Sequence, residues 1–129
     1  MGHIGENGAM GRKAETFEVQ TTVPVVVDAL VFAFTNAPGC KFFGVEPNGV
    51  VRGATGMNLA TYGEGLQGWG EPIAADRTRV TIIVEDNMPL QVVDWGRKKK
   101  LIQKIIDAFN FRLANAPQQP QGPPAPPRL

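Results

Sequence analysis

The spacing of apolar residues changes several times along the chain, and each change predicts an element of secondary structure. The first regular pattern is ETFEVQT at residues 15–21, where Phe17, Val19 and Thr21 alternate with polar side chains. In an extended chain every second side chain lies on the same face. The segment is therefore predicted to be a half-buried strand.

The next segment of the chain has the spacing of an amphipathic helix. Apolar residues recur three or four positions apart over residues 23–34, and Thr22 stands where an N-cap is expected. Pro24 falls in the first turn, where its missing N–H group costs nothing. The Pro-Gly pair at residues 38–39 ends the pattern, so we expect a helix between these two signals.

The middle of the chain predicts strands. Two apolar runs in CKFFGVEPNGVVRGATG, residues 40–56, flank the Asn-Gly pair at 48–49, which is a strong signal for a tight hairpin. A glycine-rich third strand is expected within residues 57–73, where the glycines indicate bulges or sharp curvature of the sheet. The segment RVTIIVEDN at residues 79–87 alternates strongly and predicts the last strand.

A long amphipathic helix is predicted at the end of the pattern, because apolar residues over 101–113 follow the helical period. Asp94 is a plausible N-cap for it, although Asn87 with Pro89 offers an earlier start. The element order β-α-β-β-β-β-α predicts an α+β fold. In such a fold a curved antiparallel sheet of about five strands carries two helices on one face, and the long C-terminal helix lies across the sheet.

The size and composition of the chain fit one such domain. Its 129 residues include 43% hydrophobic and 19% charged residues, which is typical of a soluble globular protein. We expect a disordered leader at 1–13, a single domain at 14–115 and a disordered Pro-rich tail at 116–129. No apolar run is long enough for a membrane span and no signal peptide is recognisable, so a cytoplasmic protein is expected.

Several kinds of chemistry are disfavoured by the residue types present. The single histidine, His3, lies in the expected leader, so a His-based catalytic site or metal site is not expected in the domain. The single cysteine, Cys40, has no histidine to activate it and reads as a buried thiol. Glu64 and Glu71 could converge on the glycine-rich strand, but structural or solvent roles are favoured for both. We therefore expect a protein that is not an enzyme and that uses no cofactor or metal.

Charge is unevenly distributed although the net charge is only +1. Four consecutive cations, Arg97, Lys98, Lys99 and Lys100, precede the apolar stripe of the last helix. A helix N-terminus already favours anions, so these side chains could bind a phosphate, an acidic lipid or nucleic acid. A simple solvated basic face is the favoured alternative.

The tail offers one motif for a protein partner. The sequence PPAPPR fits a proline-rich ligand of SH3-type grooves through Pro123, Pro126 and Arg128. Proline-rich tails match this pattern by chance, and a plain solvated tail is the favoured alternative.

Two blocks of the sequence resemble a known group of proteins. TGMNLATYGE at residues 55–64 and LQVVDWGRKKKLIQKIIDAF at residues 90–109 are similar to the TGMSL..SWGE and DWGKN patterns of small uncharacterised bacterial domains. Tyr62 and Lys98 depart from those patterns. The group looks like trimmed relatives of the START-like (SRPBCC, helix-grip) superfamily. That resemblance implies a C-terminal helix closing over a curved sheet, with an apolar cavity between them, and it implies no particular chemistry.

We therefore predict a non-catalytic binding module for an apolar or amphipathic small molecule between the last helix and the sheet. The alternative is an interaction protein with a packed core that binds an anionic or protein partner through the basic start of that helix. A ligand-sized internal void would favour the first, and close packing the second. The predicted ligand-binding residues are the large apolar side chains of these segments: Phe43, Met57, Tyr62, Trp69, Trp95 and Phe109.

Overall fold

The computed structural model describes residues 12–55, 64–86 and 95–115. Five strands and two helices follow one another in the predicted order β-α-β-β-β-β-α. In chain order the elements are β1 (Arg12–Val19), α1 (Val23–Asn36), β2 (Cys40–Val45), β3 (Val51–Thr55), β4 (Glu64–Ala74), β5 (Arg77–Asp86) and α2 (Trp95–Ala114).

The strands form one antiparallel, curved and unclosed sheet in the order β1-β5-β4-β3-β2. β5 and β4 are its long central strands, and Glu64 at the start of β4 lies opposite Asp86 at the end of β5. β1 and β2 are the two edges. Both helices lie on one face, so the predicted α+β class is confirmed.

The first helix begins and ends where the sequence signals predict. The N–H group of Val26 donates to the carbonyl oxygen of Thr22 at 3.1 Å, which closes the first turn, although the Thr22 side chain makes no capping bond. At the other end the N–H group of Ala37 donates to Ala33 at 2.8 Å. The buried face of α1 consists of Val26, Ala29, Leu30, Ala33 and Phe34.

Glycines allow α1 to lie directly on the sheet. A Cβ atom on Gly68 would stand 3.1 Å from the Leu30 side chain, and one on Gly70 would stand 3.0 Å from Val26. Both distances are shorter than ordinary van der Waals contact, so side chains at these strand positions would push the helix away. The glycine-rich strand thus serves close packing beneath α1.

The predicted hairpin joins β2 to β3. Gly49 takes a φ of 91°, which favours glycine, and its N–H group donates to the Glu46 carbonyl at 2.8 Å. The Asn48 side chain accepts from the N–H group of Val50 at 3.1 Å. The register shifts between Phe42 and Gly44, so Phe43 is the extra residue of a β-bulge.

The second helix closes the layer. α2 packs chiefly against α1, and among the described strands it reaches β1 and β5. Phe109 is fully buried and meets the Phe17 ring of β1 edge-on, with ring centroids 5.6 Å apart. Leu101, Ile102 and Ile105 continue the same buried face towards the start of the helix.

The two helices run in opposite directions. Arg112, near the end of α2, donates to Asp28 in the first half of α1 at 2.8 Å. That half of α1 follows Thr21, whose carbonyl accepts from Thr78 at the beginning of β5. The first turns of α2 therefore lie towards the opposite end of the sheet, where β5 finishes beside Glu64.

The predicted boundaries differ from the structure in few places. β1 begins at Arg12, two residues inside the expected leader 1–13, because the strand pairs with β5 along its whole length. The remainder of the leader, the tail at 116–129 with Pro123, Pro126 and Arg128, and the alternative helix start at Asn87 or Pro89 lie outside the described residues.

Candidate functional site

The structure separates the predicted ligand-binding residues. Phe109 lies inside the layer between the helices and the sheet. Phe43 is 68% exposed on the opposite, outer face of the sheet, and Trp69, three positions after Leu66 of the buried face, is half-buried on that outer face too. Met57, Tyr62 and the Trp95 side chain lie outside the described part of the chain. Phe43 and Trp69 therefore do not share a lining with Phe109.

The inner face of the sheet carries a buried acid at one end. Alternation along β4 puts Glu64 on the same side as Leu66 and Gly68, facing the helices, and Glu64 is 0% exposed. Thr55, at the end of the neighbouring strand β3, donates its hydroxyl to Glu64 Oε1 at 2.7 Å. The Glu64 N–H group donates to the same hydroxyl oxygen at 2.8 Å. This reciprocal pair holds the carboxyl group in place at the end of an apolar layer.

A buried base lies in the first turn of α2. Lys98 is only 1% exposed, whereas Lys99 and Lys100 are exposed. The side chain of Arg97 lies outside the described part. The four cations therefore do not present one basic surface, because the helix turns Lys98 inward while its neighbours face outward.

The burial of Lys98 has a signal in the sequence, which is lost when the four cations are treated as one cluster. Lys98 precedes Leu101, Ile102 and Ile105 by three, four and seven positions, which is the spacing of a single helix face. A run of four cations suggested solvent, but helical phase decides which of them enters the interior. Glu64 had a weaker signal, since it alternates in phase with Leu66 on a strand.

Cys40 opens β2 at the same end of the sheet and packs partly against the core. It lies opposite Thr55 in the β2–β3 pairing. Burial raises the pKa of the Cys40 thiol to about 11, and the positive charge of Lys104 on α2 opposes part of that rise. The thiol is therefore protonated at neutral pH, which agrees with the expectation of an unreactive cysteine.

Within the residues that the structure describes, His, Cys, Asp and Glu side chains form no group that could hold a metal ion. Neither described helix has the length and apolar character that crossing a membrane requires.

An open depression lies on the outer face of the sheet. Its volume is about 340 Å³, and Phe43, Arg52, Gln67 and Glu85 contribute its prominent side chains. It is separated from Glu64 and Lys98 by the thickness of the sheet. The depression and the buried pair Glu64 and Lys98 thus lie on opposite sides of the sheet.

One solved structure supports the architecture. A START superfamily protein from Mycobacterium smegmatis is structurally similar, with a TM-score of 0.51 and 12% identity over 85% of this chain and 99% of that one. The Zhui aromatase/cyclase from Streptomyces sp. R1128 gives a TM-score of 0.45 and 13% identity over 86% of this chain and 96% of that one. No protein-family model matches the sequence, and a comparison with curated proteins gives no match. The chain has a START-like fold, as the resemblance of its two sequence blocks implied.

Proposed function

We propose that this START-like chain is a non-catalytic binding module for an amphipathic small molecule, held between α2 and the inner face of the sheet. The observation that carries the proposal is the placement of Glu64 and Lys98. Both charged residues are buried at one end of a layer whose other buried residues are mainly apolar.

Burying ionisable groups costs free energy, and such groups concentrate at sites where a protein binds or transforms a ligand. Structural ion pairs also occur, so burial alone does not identify a ligand. Here the buried charges lie near the beginning of the helix that closes the layer. A ligand entering at this end would meet polar groups first.

The packing of α2 also favours an entrance at the end of the layer where Glu64 and Lys98 lie. α1 lies tightly on the sheet, where glycines admit its side chains. α2 packs mainly against α1 and, among the described strands, contacts β1 and β5. Among the described elements, β3 and β4 are therefore covered by α1 and not by α2, while Phe109 holds the later part of α2 against Phe17.

The chemistry of the layer indicates the class of ligand. Leu101, Ile102 and Ile105 present an apolar wall, and Thr55 and Glu64 provide hydrogen-bonding groups at its end. An apolar body with one polar group would match this order. The similar Mycobacterium smegmatis protein belongs to the START superfamily, and this similarity supports a ligand-binding fold.

Native mass spectrometry of the protein purified from its own cells is the first test. We expect a mass greater than that of the polypeptide alone, and we expect this extra mass to be lost when the protein is denatured. The bare polypeptide mass alone, from gentle purification and at several collision energies, would count against the proposal.

A second test uses the amphipathic probe 1-anilinonaphthalene-8-sulfonate. We expect saturable binding whose affinity changes at least about threefold in Glu64→Gln, because the variant removes a buried charge at the entrance. Glu71→Gln is the matched control, since Glu71 is exposed on the same strand. A cooperative thermal unfolding transition in each variant excludes binding to a loosened core. Equal affinities in all three proteins would contradict the proposed site.

A further inference from the structure

The outer face of the sheet carries an open depression that Phe43 of β2 borders on one side. The register of β2 against β3 shifts between Phe42 and Gly44, so two residues of β2 oppose one of β3. Phe43 directly follows Phe42, which packs against the core, so alternation along β2 turns Phe43 to the outer face. It is 68% exposed and forms one wall of the depression.

The depression has free space at Gly65, where a side chain is missing. Gly65 lies on β4 between Ala54 of β3 and Glu85 of β5, and it carries no side chain to fill the space. Ala54 is 7% and Ile83 4% exposed, and within the described residues both lie apart from the core cluster between sheet and helices. These two buried apolar residues belong to the outer face of the sheet beside the depression, whose own lining includes Gly53, Gly65 and Leu66.

Opposite charges border this depression. Arg52 of β3 pairs with Gln67, and Glu85 of β5 pairs with Gly65, so one strand separates the cation from the anion. The strand spacing puts their Cα atoms about 12 Å apart, which leaves room for a small molecule between two long side chains. Gln67 adds an amide that can both donate and accept.

Arg52 is held in position by the hairpin. Its Nε–H group donates to the Glu46 carboxylate in the turn between β2 and β3. In the described part of the chain Glu46 engages this corner of the guanidinium, and the two Nη groups remain as donors for a planar acceptor. Arg52 and Glu46 side chains are 46% and 37% exposed, so solvent and ligands reach the pair.

We infer that this outer cleft, bounded by Phe43, Arg52, Gln67 and Glu85, binds a small zwitterion with an apolar or aromatic frame, of which a free aromatic α-amino acid is the simplest example. The carboxylate would bind Arg52, the ammonium group Glu85, and the frame would pack on Phe43. A volume of about 340 Å³ suits such a ligand. Because the cleft is open, we expect a dissociation constant of about 1 mM. This inference is independent of the ligand proposed for the inner layer.

The experiment is an NMR titration of the full chain with L-phenylalanine, following backbone amides and the Arg52 Nε–H signal. We expect saturable shifts confined to residues of β2, β3, β4 and β5 around Gly65. Phenylpropionate lacks the ammonium group and phenethylamine lacks the carboxylate, so each should bind at least about fivefold more weakly.

Two variants assign the charges. Arg52→Gln should weaken L-phenylalanine binding about tenfold and leave phenethylamine binding nearly unaffected, because phenethylamine has no carboxylate. Glu85→Gln should also weaken L-phenylalanine binding and leave phenylpropionate binding nearly unaffected, because phenylpropionate has no ammonium group. Glu18→Gln is the matched control, because Glu18 lies on the outer face of β1 and pairs with Arg77 and Arg79 away from the cleft. Its affinity should equal that of wild type.

Three results would overturn the inference. One is equal binding of L-phenylalanine and its two truncated analogues. Another is the absence of saturable shifts up to about ten times the expected dissociation constant. The third is that the chemical shifts of the cleft amides change with protein concentration alone and that this change vanishes in Phe43→Ser. Such a result would mean that a second copy of the chain occupies this face.

Discussion

Thr55 and Glu64 bind each other twice across the beginning of β4. The threonine hydroxyl donates to the carboxylate at 2.7 Å and accepts from the glutamate N–H group at 2.8 Å. One small side chain therefore satisfies two polar groups at a buried position. The arrangement positions the carboxyl group of the proposed inner site, so its energetics can be measured without a ligand.

Thr55→Val should lower the free energy of unfolding by about 1–3 kcal/mol. Valine keeps the shape of threonine but removes the hydroxyl, which deprives a buried carboxylate oxygen and a buried N–H group of this shared bond. Urea denaturation monitored by tryptophan fluorescence measures the change. Thr16→Val is the control, because Thr16 is exposed and its hydroxyl lies 3.4 Å from that of Thr81. We expect the control to remain within about 0.5 kcal/mol of wild type, and equal stability of Thr55→Val would contradict the account.

Gly53→Ala should be strongly destabilising. A Cβ atom at position 53 would collide with the backbone carbonyl of Lys41 and lie 3.1 Å from the Phe34 ring. Backbone cannot move aside as a flexible side chain can, so the β2–β3 pairing or the seat of α1 must shift. We expect a loss of about 2–4 kcal/mol by urea denaturation.

Gly44→Ala provides the comparison on the neighbouring strand. Nothing lies within 4 Å of the position that its Cβ atom would take. Its stability should stay within about 0.5 kcal/mol of wild type. A similar loss in both variants would contradict close contact at Gly53 as the cause, because the entropy of the unfolded backbone by itself favours alanine over glycine.

Phe109→Leu should lower stability by about 1–3 kcal/mol, because it leaves a gap beside Phe17 in a fully buried position. Phe111→Leu is the matched change two residues later on the same helix, where the ring is 59% exposed and stacks on Phe32 at 6.0 Å. We expect the second variant to lose less than half as much in thermal or urea unfolding. If both lose the same, α2 does not close the layer as described.

The sequence predicted the elements of this fold because their periods are carried by many residues at once. β5 alternates with Val80, Ile82 and Val84 facing inward, and no single exception disturbs such a pattern. The assignment of residues to a shared site was less successful, since it depends on which face each side chain takes. Phe43 directly follows Phe42, which packs against the core, so alternation along β2 turns Phe43 to the outer face and away from Phe109.

The basic cluster shows the same difficulty on a helix. Four adjacent cations suggested a common anion site, yet adjacent residues are about 100° apart around a helix axis. Lys98 thus joins the buried face while Lys99 and Lys100 point to solvent. Composition indicated the charge, and helical phase determined its location.

Alkaline pH should reveal the environment of Cys40. Burial raises the pKa of the thiol from its ordinary value of 9.0 to about 11, so the folded state retains a proton that the unfolded chain has already lost between these values. The contribution of the protonated thiol to stability is complete below about pH 9 and declines as the pH rises towards 11.

Partial exposure of the Cys40 side chain reduces the size of this pH effect on stability, and we expect a loss of about 1–2 kcal/mol across this window. Urea denaturation at about pH 8, 9, 10 and 11 measures this loss of stability against Cys40→Ala. The alanine variant should be less stable at pH 8 but should lose less stability with rising pH, because it lacks the titrating group. Parallel pH profiles for the two proteins would show that the decline comes from other groups and that the thiol is not shielded in the folded state.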